Sequence, residues 1–196
     1  MVPTKAASGW NLLATKPYFR KLIYSSVLWY STRAYEQIVL SWLVLKITDS
    51  VAAVAALSAA RGLPMLLLAY VGGSLSDRSA SLRILRITQS LSLVVVIGYT
   101  LYLALATPIP WTAHVVIGLS GIVWSFDFAS RRSLYKEILE PKNLATAVPV
   151  DTITFTIGLI VGPIIAGVVT RTAGFAVAYL VLGAIHAASL VLLPAA

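Results

Sequence analysis

Apolar residues in this chain gather into runs of about twenty, the length a helix needs to cross ~30 Å of hydrocarbon. Six such runs are visible, at 22–45, 51–75, 85–106, 111–128, 147–169 and 175–193. The links between them, at 46–50, 76–83, 107–110, 129–146 and 170–174, are short and punctuated, and none could hold a soluble domain. Residues 1–18 read as a polar N-terminal tail, and 19–196 as a six-helix transmembrane domain. The run that follows the tail is too long for a signal-peptide core and has no small-residue cleavage site, so it reads as a retained span. The pattern predicts an all-α membrane protein.

Composition agrees. Of 196 residues, 59% are hydrophobic and 11% charged, with a mean hydropathy of +0.88; a soluble domain carries roughly a quarter charged residues and could not hide so much apolar surface in one core. Cysteine is absent, which excludes disulfides, thiolate chemistry and a Cys-based metal site. No cofactor is expected.

A net charge of +8 would suggest nucleic acid as a partner in a soluble protein, but here the cations sort by side. Lys5, Lys16, Arg20 and Lys21 precede the first span, Arg78, Arg83 and Arg86 lie around the second-to-third link, and Arg131, Arg132, Lys136 and Lys142 around the fourth-to-fifth. The other links hold Lys46 and Arg171. The positive-inside rule makes the first group cytoplasmic, with both termini inside an integral, multi-pass inner-membrane protein, and the basic excess needs no nucleic acid. Trp42, Trp111 and Tyr179 fall near span ends, where interfacial aromatics sit.

Ionisable residues inside spans cost at least ~2.5–3.5 kcal/mol each and mark function. Arg33 and Glu36 form an i, i+3 pair in the first span, able to neutralise each other. Arg61 lies in the second span, Asp151 early in the fifth, and Asp127 near the end of the fourth, where Arg131 is in pairing range. Arg33, Glu36 and Arg61 are expected to line or gate a central cavity, with Glu36 the proton-titrating candidate. For Asp151 the start of a helix is explanation enough. Gly62-Leu-Pro64 and Gly162-Pro163 weaken the second and fifth spans at corresponding places, as in two three-helix units of inverted topology.

Two motifs carry a resemblance. Gly73-Ser-Leu75-Ser-Asp77-Arg78 and Gly158-Leu-Ile-Val-Gly162-Pro163-Ile-Ile-Ala166-Gly167 are similar to the loop motif and the antiporter-type motif of the major facilitator superfamily. Ala60-Arg61-Gly-Leu-Pro64 and the stretch 129–147 resemble its branch of enterobactin exporters and macrolide-efflux-like proteins. The resemblance implies the N-terminal six-helix half of a transporter, a 3+3 inverted repeat, with the C-terminal half absent or supplied by a second six-helix chain. It further implies proton-coupled efflux of a small organic molecule by alternating access, with Asp77 bonding Arg131 as a conformational lock and Gly158, Gly162, Pro163 and Gly167 shaping a helix contact. The chain departs from the family at Ala80-Ser81-Leu82, where a basic run is usual, and at Arg33, where relatives commonly place an acid.

Two other readings stand beside this one. Gly118-Leu-Ser120-Gly121 with His186 resembles the Ser/His dyad of rhomboid intramembrane proteases, whose nucleophile needs a base in reach and an oxyanion site. Against it, the first external link is short, the second span has no His or Asn, and no glycines follow His186. The other is a truncated membrane protein that transports nothing.

Overall fold

The computed structural model describes residues 9–76 and 81–194, with the side chains of Trp10 and of 69–76 left out. It is an all-α bundle: α1 (Gly9–Thr15), α2 (Pro17–Thr48), α3 (Val51–Ser76), α4 (Ser81–Leu105), α5 (Pro110–Ile138) and α6 (Pro141–Val191). Proline stands at the first turn of α2, α5 and α6, where its fixed φ suits the helix and its missing N–H costs nothing. Asp49 ends α2 in the left-handed region (φ 49°, ψ 29°), its N–H returning to the Leu45 carbonyl, so the chain turns directly into α3.

Helix α6 has 51 residues, about 77 Å of helix and more than two bilayer crossings of ~30 Å. It is interrupted at Gly174, whose φ of 83° and ψ of 178° belong to no helix and are open to glycine alone at little cost. The link expected over 170–174 is thus one residue long, between arms 141–173 and 175–191. The link expected over 129–146 also shrinks: α5 continues to Ile138 and α6 starts at Pro141. Polar residues there continue the helices because they find partners inside the bundle. Residues 9–15, expected in a polar tail, form α1, which buries Leu12 against Phe19, Leu22 and Leu139.

Among the described residues, α3 (over Val51–Leu68), α4, α5 and α6 are long and apolar enough to cross a membrane. Helix α2 is long enough but carries Arg33 and Glu36 in its middle. Large apolar side chains such as Leu66, Leu67, Val94 and Leu105 face outward, while Glu36, Arg61, Gln89, Asp127, Arg131, Asp151 and His186 are buried. This reversal of the soluble pattern suits a lipid surround, where the interior is the only refuge for a polar group.

Helix α2 packs mainly on α6, α3 on α5, and α4 on both α5 and α6. Small residues set the closest crossings. A Cβ on Gly158 would lie 2.7 Å from the Tyr30 Cβ, and one on Gly162 would land on the Ser31 carbonyl oxygen, so α2 and α6 meet backbone to backbone there. Gly121 makes the matching notch in α5 for the Arg61 carbonyl of α3, with Gly118 near the Ala60 carbonyl. Gly167, expected in the same role, faces nothing within 4 Å. Two larger apolar clusters pack the interior, one including Tyr35, Leu57 and Tyr179, the other Phe19, Leu85 and Leu134. Trp29, Tyr30 and Trp124 lie in a third.

Candidate functional site

Three helices bring polar groups to Glu36 of α2. Its Oε2 accepts from Arg61 Nη2 of α3 at 2.6 Å, and its Oε1 accepts from Ser120 Oγ of α5 at 2.9 Å and from the Tyr179 hydroxyl of α6 at 3.4 Å. Both partners of the ion pair are almost fully enclosed, with side-chain exposures of 8% and 5%. Close approach at Gly121 makes this possible, because it seats the α3 backbone at Arg61 directly on α5. Arg61 Nη1 also donates to the Arg33 carbonyl at 3.2 Å, tying α3 to α2 a second time.

The expected Arg33–Glu36 pairing therefore gives way. The carboxylate turns inward to Arg61, and the Arg33 guanidinium lies over the Trp124 ring at 4.6 Å, with the Met65 sulfur 3.9 Å from Nη1. Arg33 and Arg61 border two cavities. One is small, about 20 Å³, enclosed by Trp29, Glu36, Ser120, Trp124 and His186 among others. The other, about 330 Å³, opens on the surface between Arg33, Gln37, Ser58, Arg61 and Leu159. Trp29 Nε1 and Arg61 Nε are buried with no hydrogen-bond partner among the described residues.

A second polar cluster lies further along α5. Arg131, fully buried, donates through Nε to Asp127 Oδ1 at 3.1 Å and through Nη1 to Ser26 Oγ at 2.9 Å. Thr88 of α4 donates to Asp127 Oδ2 at 3.3 Å, and the Arg131 guanidinium stands 5.8 Å from the Tyr30 ring centre. Asp127 thus pairs with Arg131, as its spacing allowed. The lock partner expected for Arg131, Asp77, lies outside the described residues together with Arg78; the backbone of Gly73 and Leu75 falls in α3 and their side chains are not described. At the start of α4, Glu137 accepts the Ser81 hydroxyl, bridging α4 to α5.

Asp151 is not explained by a helix start, since it lies ten residues into α6. It is buried and its Oδ1 accepts the hydroxyls of Tyr30 at 2.9 Å and Tyr135 at 2.6 Å, joining α2, α5 and α6. Tyr179 is likewise no interfacial aromatic: it is completely buried on Glu36, whereas Trp42 and Trp111 are exposed. Tyr30, Tyr135 and Trp124 escaped the sequence reading, and Tyr179 entered it only as an interfacial aromatic. The available signal was indirect: a buried carboxylate must find donors, and among apolar residues the hydroxyls of Tyr and Ser are the commonest supply.

In the structure the motif Gly118-Leu-Ser120-Gly121 packs against the α3 backbone and hydrogen-bonds to Glu36. Ser120 donates a hydrogen bond to Glu36, and His186 Nδ1 is 3.0 Å from the Leu182 carbonyl with its ring edge-on to Trp29. The profile of the transmembrane secretion effector family of the major facilitator superfamily matches residues 7–195. The chain belongs to that family. No curated protein and no solved structure gives a significant match. Membership makes this major facilitator chain a transporter-family protein rather than an enzyme, and its apolar helices give it a multi-pass membrane location.

Proposed function

We propose that the chain is the N-terminal six-helix unit of a proton-coupled exporter of small organic molecules that works by alternating access. The observation that carries this is the enclosed Glu36–Arg61 pair, held by four helices beside a cavity of about 330 Å³. Pairing a carboxylate and a guanidinium within a membrane is costly to build and is retained where charge has a task. A proton on Glu36 cancels the carboxylate charge and leaves the Arg61 guanidinium without its counter-ion, so proton uptake and release are felt at once by α2, α3, α5 and α6.

The pairing of helices supports a 3+3 inverted repeat. Exchanging spans one to three with four to six turns the contact of α2 with 141–173 of α6 into that of α5 with α3, and both crossings are built on glycine notches. The open polar face with Arg33, Gln37 and Ser58 supports a second six-helix unit as the cover of the cavity, because bare lipid is a poor neighbour for a guanidinium at that depth. Asp77 and Arg131 remain the lock implied by the loop motif, and the cation distribution supports cytoplasmic termini.

Because the natural chain lacks cysteine, single-cysteine variants report side directly. With a membrane-impermeant thiol reagent, D49C should label in intact cells, E140C only in inside-out vesicles, and S58C from an aqueous side despite its place among apolar residues. Labelling of D49C and E140C from the same side, or an S58C closed to both, would overturn the reading.

A further inference from the structure

The charges that border the two cavities do not cancel. Arg33, Arg61 and Glu36 sum to one net positive charge, and Glu36 is spent on Arg61. Arg33 keeps only a thioether and an indole face as side-chain partners among the described residues, both weak compensation for a guanidinium. A cation left this way within a membrane is expensive unless something negative joins it. The buried polar atoms that lack partners here, Trp29 Nε1 and Arg61 Nε, are both donors. The Trp29 indole borders only the small cavity, but both guanidiniums also border the larger one, whose lining among the described residues holds no acidic residue and whose volume suits a small organic molecule.

Building on the transport reading of this site, we propose that its substrate is an organic anion, a carboxylate or a group of like charge on an aromatic or apolar body. Arg33 binds the anionic group, and the side chains of Ala34 and Leu159 take the body. The Glu36–Arg61 pair stays intact and supplies part of the positive wall.

Benzoate, benzamide and benzamidine share one ring and nearly one shape, and they carry −1, 0 and +1. Purified full-length chain in lipid nanodiscs is heated with each over a concentration series, and the shift of the unfolding midpoint yields relative affinities by mass action. Benzoate should bind at least about tenfold more tightly than benzamide, as expected when a charge-assisted bond replaces a neutral one, and benzamidine least. Arg33→Gln should bring benzoate and benzamide within about twofold of each other, Arg33→Glu should favour benzamidine, and Arg132→Gln, an exposed cation away from both cavities, should leave the order unchanged. A wild-type ratio within about twofold, a benzoate preference that survives Arg33→Gln, or no shift with any of the three probes overturns the proposal. Labelling of D49C and E140C does not depend on Arg33, so the transport reading and the anion site can fail separately.

Discussion

Alanine at Gly162 and at Gly167 should have opposite effects, although both glycines belong to one sequence motif. At Gly162 the new methyl would overlap the Ser31 carbonyl and lie 3.1 Å from the Tyr35 nitrogen. Both are backbone atoms that no rotamer change can move, so α2 must retreat by about 1 Å to restore ordinary contact near 3.5 Å. Overpacking of this kind costs ~1–3 kcal/mol, set against up to ~1 kcal/mol of helix propensity that alanine gains over glycine. With the full gain subtracted the net loss is about 0–2 kcal/mol, and every ~1.4 kcal/mol is tenfold in the folded-to-unfolded ratio. At Gly167 nothing lies within 4 Å, and only the propensity gain remains. Equilibrium unfolding in mixed micelles with rising dodecyl sulfate, followed by tryptophan fluorescence, measures both. If Gly162→Ala proves as stable as Gly167→Ala, the backbone contact between α2 and α6 is not as described.

Other predictions concern the buried charges and one exposed pair. Removing one partner of the central ion pair, as in Arg61→Met, should cost ~3–5 kcal/mol, and the double variant Glu36→Met/Arg61→Met should recover at least about half, measured as a double-mutant cycle in the same micelles. Arg131→Met should lose a similar ~3–5 kcal/mol; Arg131→Lys should rescue it poorly in a protease-resistance assay, since one ammonium cannot reach Asp127 and Ser26 along the directions that Nε and Nη1 take. At the start of α6, the Lys142 ammonium, 2.7 Å away, holds the exposed Glu140 carboxyl below its usual 4.5. A lowered pKa stabilises the fold above that usual value and is lost as pH falls through the lowered one, so Glu140→Gln should remove a small, salt-screened acid dependence of amide protection near residue 140.

Length and polarity along the chain made the helices legible, because a bilayer demands twenty apolar residues and then a link. They misplaced helix ends wherever polar residues were satisfied internally. Ala129 to Thr146 looks like a loop by composition, yet Arg131 has Asp127, Ser26 and the Tyr30 ring as company and Tyr135 has Asp151, so the helix runs on. The residues of the site were visible as charges within spans, but their partners were not. Spacing along one helix favoured Arg33 for Glu36, and a contact 25 residues away gave it Arg61 instead, because Gly121 lets α3 come close enough. Glycine motifs were similarly ambiguous: the sequence shows three small residues in the fifth span, and only the neighbouring helix decides which two are notches.

The two ion pairs differ in a way that bears on how the protein is made. Arg131 finds Asp127 one turn back on its own helix, so α5 can leave the aqueous phase with its counter-ion already attached. Glu36 and Arg61 sit on successive helices joined by the tight turn at Asp49. Helix α2 has Arg33 three residues from Glu36, but α3 carries no acid, so Arg61, at ~2.5–3.5 kcal/mol for an exposed ion, enters lipid with a counter-ion only as part of the α2–α3 hairpin. During synthesis α3 thus depends on α2 for its counter-ion, while α5 carries its own.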